Sequence, residues 1–292
     1  MPLRAPAAAL LLALSLGLPQ SVLPQERLTV RWEPASPRQG DVAVVFVTGV
    51  PRPQRVEGSL DEASLTFFAN GESYAALAGI DLEQKPGTVR WRIGLIDGSG
   101  RGFEATGTLQ VRQRKFPVQR LTLPREQVDL DPPTLRRARE ESRRLRRIFA
   151  TVTPERLWQD RFTKPVRVSD RGKGFGARRI INGQPRAPHT GVDYSADSGT
   201  AVVAANAGRV ALVAEQFFAG RLVVLDHGLG LSTFYFHLER VDVQEGQLVA
   251  RGQPIGAVGS TGRATGPHLH FGARLSQARI DPTSLLSLPL SD

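Results

Sequence analysis

The runs AVVAANAGRVALVAE (201–215), RLVVLDHG (221–228) and STFYFHL (232–238) follow one another with only glycines and short polar turns between them. Apolar runs of this length, rich in β-branched and aromatic residues and bounded by glycine, read as strands. No 3.6-residue periodicity runs through them. QPIGAVG (253–259) continues the pattern. Residues 161–292 are therefore expected to form an antiparallel all-β domain with many tight turns.

Upstream, LTVRW (28–32), VAVVFV (42–47), SLTFFA (64–69), TVRWRIGL (88–95) and GTLQVRQ (107–113) read as further strands. RQGD (38–41), ANGE (69–72) and DGSGRG (97–102) supply turns. Strands at this spacing predict a small Ig-like β-sandwich over 26–115. It contains no histidine, and it reads as a packing or targeting module. Residues 116–160 hold an extended, proline-rich linker, FPVQRLTLPREQVDLDPP (116–133), and then a helix over 132–150. Asp131 is a good N-cap, and prolines are tolerated in the first turn. Leu135, Ala138, Leu145, Ile148 and Phe149 form one apolar stripe, expected to dock on a domain. The other face is crowded with arginine and reads as solvated, with Glu140 and Arg144 as an i,i+4 pair. The whole chain is thus expected to be mainly β, two β domains joined by an amphipathic helix.

At the N-terminus, Arg4 precedes the apolar run AAALLLALSLGL (7–18), which ends at Pro19. The run is short for a membrane span and suits a secretory signal over 1–25, with an uncleaved anchor as the competing reading. No later stretch is long and apolar enough to span a bilayer. The chain has 292 residues, no cysteine and a formal net charge of +10. The missing cysteine excludes disulfides, thiol nucleophiles and Cys-based zinc sites, so any metal must sit on histidine and carboxylate. The positive balance favours anionic partners such as a cell-wall polymer.

All five histidines, His189, His227, His237, His268 and His270, lie beyond residue 188. In PHLHF (267–271), His268 and His270 are two apart on an expected strand and share a face. That pair suits a metal centre with a base beside it. HTGVD (189–193) brings an imidazole and a carboxylate close in sequence, and His237 in TFYFHL adds one more imidazole. Two histidines and an aspartate would leave the fourth position of a tetrahedral zinc open to water.

HTGVD, FYFHLER (234–240) and TGPHLHF (265–271), in this order, closely resemble the LytM/lysostaphin-type zinc peptidases. The likeness extends through FGARRIINGQPRAPHTGVDY (175–194), GTAVVAANAGRV (199–210), VVLDHGLGLSTFYFHLERV (223–241) and EGQLVARGQPIGAVGSTGRATGPHLHFG (245–272), and covers roughly 162–286. It implies that His189, Asp193 and His270 bind Zn2+. It implies that His237 and His268 flank the attacking water, one as general base and the other orienting water or stabilising the tetrahedral intermediate. It also implies an exported endopeptidase, in the periplasm or cell envelope or outside the cell, that hydrolyses peptidoglycan stem peptides or cross-links through a metal-activated water. His227, in LDHGLG, reads as structural. The alternative within the family is an inactive wall-binding regulator, but such proteins lose zinc ligands and all five positions are intact here. A lipoyl-type carrier would need a hairpin-tip lysine, and the last lysine is Lys173. Nucleic-acid binding by the arginine-rich helix is not expected beside this constellation.

Overall fold

A computed structural model describes residues 28–159 and 161–289. The segment read as a secretory signal lies outside them. The N-terminal half contains β1 (Thr29–Glu33), β2 (Val42–Thr48), β3 (Arg55–Leu60), β4 (Ala63–Leu65), β5 (Phe67–Asn70), β6 (Ser73–Gly79), β7 (Gly87–Ile96) and β8 (Gly102–Val111). They form two antiparallel sheets, ordered β1-β2-β6-β5 and β4-β3-β7-β8. Ala43, Val45, Val47 and Ala76 of the first meet Ile93, Leu95 and Leu109 of the second in one core.

SLTFFA is not a single strand. It breaks at Thr66, and its halves, β4 and β5, join different sheets. The unbroken apolar run of β2 also has a structural reason. Its other face, Val42, Val44 and Phe46, packs into the core of the C-terminal half. β2 is therefore buried on both faces. Phe68 meets Trp158 edge to face at 5.3 Å. Arg279 makes paired bonds to Asp81, with Nε 2.9 Å from Oδ2 and Nη2 2.5 Å from Oδ1.

The stretch 116–133, expected to be only a linker, contributes β9 (Val118–Leu121). β9 pairs in parallel with β10 (Arg178–Ile181), and β11 (Gln184–Pro185) completes that small sheet. Helix α1 spans Pro132–Ala150, and the Asp131 carboxylate accepts from the Thr134 N–H at 2.8 Å. Phe149 docks in a cluster with Leu212, Leu222, Val224 and Phe234, a burial contributing about 1.5–3 kcal/mol. Leu145 and Ile148 pack against the same cluster and Ala138 is buried, while Leu135 is exposed; Ala138 and Leu145 also line a cavity. The Glu140–Arg144 pair does not form. Arg144 reaches Glu245 at 3.3 Å, while Glu141 pairs with Arg137 at 2.7 Å.

The C-terminal half is built on a nine-stranded sheet of β12 (Gly191–Ser195), β13 (Ala201–Val203), β14 (Gly208–Gln216), β15 (Gly220–Gly228), β16 (Leu231–Val241), β17 (Leu248–Val249), β18 (Pro254–Val258), β19 (His268–Leu275) and β20 (Ala278–Ile280). Its main path runs β12-β19-β16-β15-β14-β17. One short helix, α2 (Pro282–Leu285), follows. Among the described residues, no helix is long and apolar enough to cross a membrane.

Candidate metal centre

Three adjacent strands bring the site together. Asp193 on β12 lies directly opposite His270 on β19, and His270 lies opposite Phe236 on β16. Directly opposed residues of an antiparallel pair point to the same face, so a carboxylate and an imidazole meet without further device. His268 shares that face, two residues away. His189, just before β12, closes the group. Its Nε2 lies 2.8 Å from His270 Nδ1 and 3.1 Å from Asp193 Oδ1, and His270 Nδ1 lies 2.9 Å from the same oxygen. His189 and His270 are buried and Asp193 is half-buried. Burial works against the Asp193 charge, but hydrogen bonds to His189 and His270 outweigh it and hold the carboxyl well below the usual range.

The ring nitrogens have distinct duties. His189 Nδ1 is 2.9 Å from the Gly174 carbonyl, which can only accept, so Nδ1 donates there and Nε2 is the nitrogen turned toward Asp193 and His270. His237 Nδ1 donates in the same way to the Thr261 carbonyl at 2.8 Å, and His268 Nδ1 to that of Gly266 at 2.8 Å. Each therefore turns its Nε2 away from its anchor. The two rings lie 4.7 Å apart. Burial, and then His270 and His268 nearby, push His237 down to about 3. Burial pushes His270 down to about 4 against the pull of Asp193. Both imidazoles are neutral at pH 7, the state a metal ligand or a proton acceptor requires.

His237 owes its position to a distorted backbone. Two residue steps along β15, from Arg221 to Val223, match three along β16, from Leu238 to Tyr235. His237 sits in this bulge with φ +64°. Bulges re-aim side chains, and left-handed non-glycine residues concentrate at functional sites. Nothing in TFYFHL signals this turn of the chain.

Two glycines make room for His270 and His189. A Cβ on Gly191 would stand 2.8 Å from His270 Nε2 and 2.5 Å from the Phe271 carbonyl oxygen. A Cβ on Gly174, at φ +92°, would stand 2.7 Å from His189 Nδ1. Gly174→Ala is expected to displace the carbonyl that orients His189 and to lower zinc affinity roughly 10–100-fold. Chelator competition measures this, and an unchanged affinity would contradict the orienting role.

His227 stands apart from this centre. It is fully buried, with Nδ1 2.8 Å from the Ala207 carbonyl and Nε2 2.8 Å from Thr233 Oγ1, and Phe162 packs edge-on at 5.2 Å. Burial pushes it down to about 4. A depressed folded value means that the unfolded chain takes up the proton first. Its stabilisation is complete above about pH 6.5 and is lost as pH falls through about 4. The full effect is on the order of 3 kcal/mol. Urea unfolding at pH 7 and pH 5 should show a smaller loss of stability in His227→Gln than in wild type; equal losses would contradict the assignment.

The five residues His189, Asp193, His237, His268 and His270 line one cavity of about 220 Å³. Sequence reasoning missed its other walls. Gln119 and Leu121 of β9 and Glu141, Ser142 and Leu145 of α1 close one side, with Arg179 and Arg263 beside the histidines.

The donor chemistry fits a divalent metal. His189, Asp193 and His270 present three ligand atoms all within 4.8 Å of one another. Two imidazole nitrogens and an ionised carboxylate crowd together, and a cation among them relieves that juxtaposition. The model of peptidase family M23 matches residues 187–282, which include all five of these positions. This chain carries a peptidase family M23 domain. Within that family, the M23 domain is 46% identical over 98 residues to the peptidoglycan DD-endopeptidase ShyA of Vibrio cholerae serotype O1, a match covering 33% of this chain and 23% of that one. It is 42% identical over 97 residues to the DD-carboxypeptidase/endopeptidase Mpg of Neisseria meningitidis serogroup B, covering 33% and 22%. The matches thus span less than a quarter of these relatives' length. A crystal structure of an M23 peptidase from Pseudomonas aeruginosa is similar across 86% of this chain and 95% of its own, with 26% identity and a TM-score of 0.61. That likeness reaches beyond the M23 domain into the N-terminal sheets.

Proposed function

We propose that the protein is an exported, zinc-dependent endopeptidase that hydrolyses peptide cross-links or stem peptides of bacterial peptidoglycan. The observation that carries the reading is the convergence of the His189, Asp193 and His270 donors beside the Nε2 atoms of His237 and His268. His189, Asp193 and His270 would hold the metal. Bound zinc would supply Lewis acidity, acidifying water toward pKa ~7 and polarising the scissile carbonyl.

The chain's own residues do the rest. Two Nε2 acceptors on adjoining rings can hold both hydrogens of one water. His268 is the more exposed of the two, with 17% of its side chain accessible, and so the one open to solvent. We assign proton uptake to His268 and orientation of the water to His237, whose burial keeps it neutral. M23 relatives named as peptidoglycan DD-endopeptidases support the substrate class. The N-terminal run 7–18 and the location of that substrate support export.

The test is digestion of purified sacculi, with released fragments identified by mass spectrometry. Zinc-loaded wild type should release a specific cross-link fragment. Chelated wild type and His268→Ala should not. A folded, zinc-loaded wild type that cuts no wall chemistry would overturn the reading.

A further inference from the structure

Two guanidinium groups, those of Arg179 and Arg263, line the cavity beside the centre, and the charge of Arg186 is close enough to act on Arg263. Arg263, in the loop leading to β19, lies over the Phe218 ring at 4.2 Å. It is half-buried, and among the described residues its side chain has no ion pair or hydrogen-bond partner. Arg179 of β10 donates from Nε to Gln119 Oε1 at 3.2 Å, and its Nη2 lies 4.0 Å from Asp193 Oδ2. Arg186 donates from Nη2 to the Val128 carbonyl at 3.2 Å and to Gln184 Oε1 at 2.6 Å, both neutral partners. Burial, and then the charges of Arg179 and Arg186, push Arg263 down to about 10.

Neither carboxylate of the cavity pairs with Arg263. Asp193 turns Oδ1 onto two imidazoles and Oδ2 toward Arg179. Glu141 accepts from Arg137 and from the Phe217 N–H at 2.9 Å. Partly burying a guanidinium with no counter-charge, beside two others, is unfavourable. A planar fork stacked on an aromatic ring is suited to a bidentate carboxylate.

We propose that Arg263 and Arg179, with Arg186 behind them, form a carboxylate-binding subsite that takes a free carboxylate of the substrate beside the scissile bond. This rests on the endopeptidase reading and narrows it. A cross-link to the amine of a dicarboxylic diamino acid keeps a free carboxylate on the carbon next to the scissile nitrogen. A glycine bridge keeps none, so the subsite selects the first bond type over the second.

The test uses cross-linked muropeptide dimers with their carboxylates free or converted to primary amides, against wild type, Arg263→Gln and Arg263→Lys. Calorimetry on the metal-free protein reads binding without cleavage. Zinc-loaded protein then reads kcat/KM. Wild type should bind the free form roughly tenfold to a hundredfold more tightly than the amide. Arg263→Gln should lose that preference, with binding of the free form weakened far more than that of the amide. Arg263→Lys, which keeps the charge but not the fork, should fall between, and thermal melts confirm that both variants fold. Equal binding of the two forms by wild type, binding of neither, or equal weakening of both by Arg263→Gln overturns the subsite. Unselective cleavage removes the subsite and leaves the endopeptidase. Selective binding with no cleavage by the zinc-loaded protein does the reverse.

Discussion

Asp193→Ala is expected to lower kcat/KM on peptidoglycan cross-links by on the order of a thousandfold while leaving the protein folded. The loss of several kcal/mol of transition-state stabilisation corresponds to that factor. Asp193 Oδ1 is the vertex that both His189 and His270 reach, at 3.1 and 2.9 Å. Without it two imidazoles remain, too few to hold a catalytic zinc. The fold should tolerate the change because Asp193 lies on a strand held by main-chain pairing. Its backbone pairing with His270 and Lys173 is unaffected by a side-chain truncation. Steady-state kinetics on a purified muropeptide dimer, with circular dichroism as the fold control, measures both parts. Activity within tenfold of wild type would remove Asp193 from the centre.

His237 gives the second large effect, and there activity and stability separate. Removing the imidazole is expected to lower kcat by roughly 10²–10⁴-fold, the range of a positioned acid–base group. At φ +64° the residue also stores backbone strain. A left-handed conformation costs a Cβ-bearing residue about 1 kcal/mol or more, and glycine almost nothing. His237→Gly should therefore be about 1 kcal/mol more stable than His237→Ala, although both lose the same imidazole. The pair isolates the backbone from the missing ring. Urea unfolding measures it, and equal stability of the two variants would mean that the bulge relaxes when the ring is removed.

What the sequence disclosed follows from how local each signal is. His268 and His270 share a face because they are two apart on a strand, and that needs no partner to be known. The Asp131 cap and the helix after it are equally local, and the structure keeps both. The cavity wall made by Gln119, Leu121 and Glu141 could not be read in this way. Its residues come from a stretch that looked like linker and from the edge of an apolar stripe, and only long-range packing turns them toward the histidines. β6, SYAALAG, escaped because alanine and glycine carry little strand propensity. Its place between β2 and β5 is set by packing on both faces. The sheet switch at Thr66 and the bulge at His237 depend on strand partners, which alternation along one segment does not name. The Arg263 stack on Phe218 likewise joins two loops distant in sequence.

Calorimetric titration of zinc into chelator-stripped protein tests the central claim most directly. The account predicts one tight site per chain in wild type, and loss of that site in His189→Ala and Asp193→Ala. A folded wild type that takes up no zinc, or variants that bind it as wild type does, would contradict the assignment of His189, Asp193 and His270 as the metal centre.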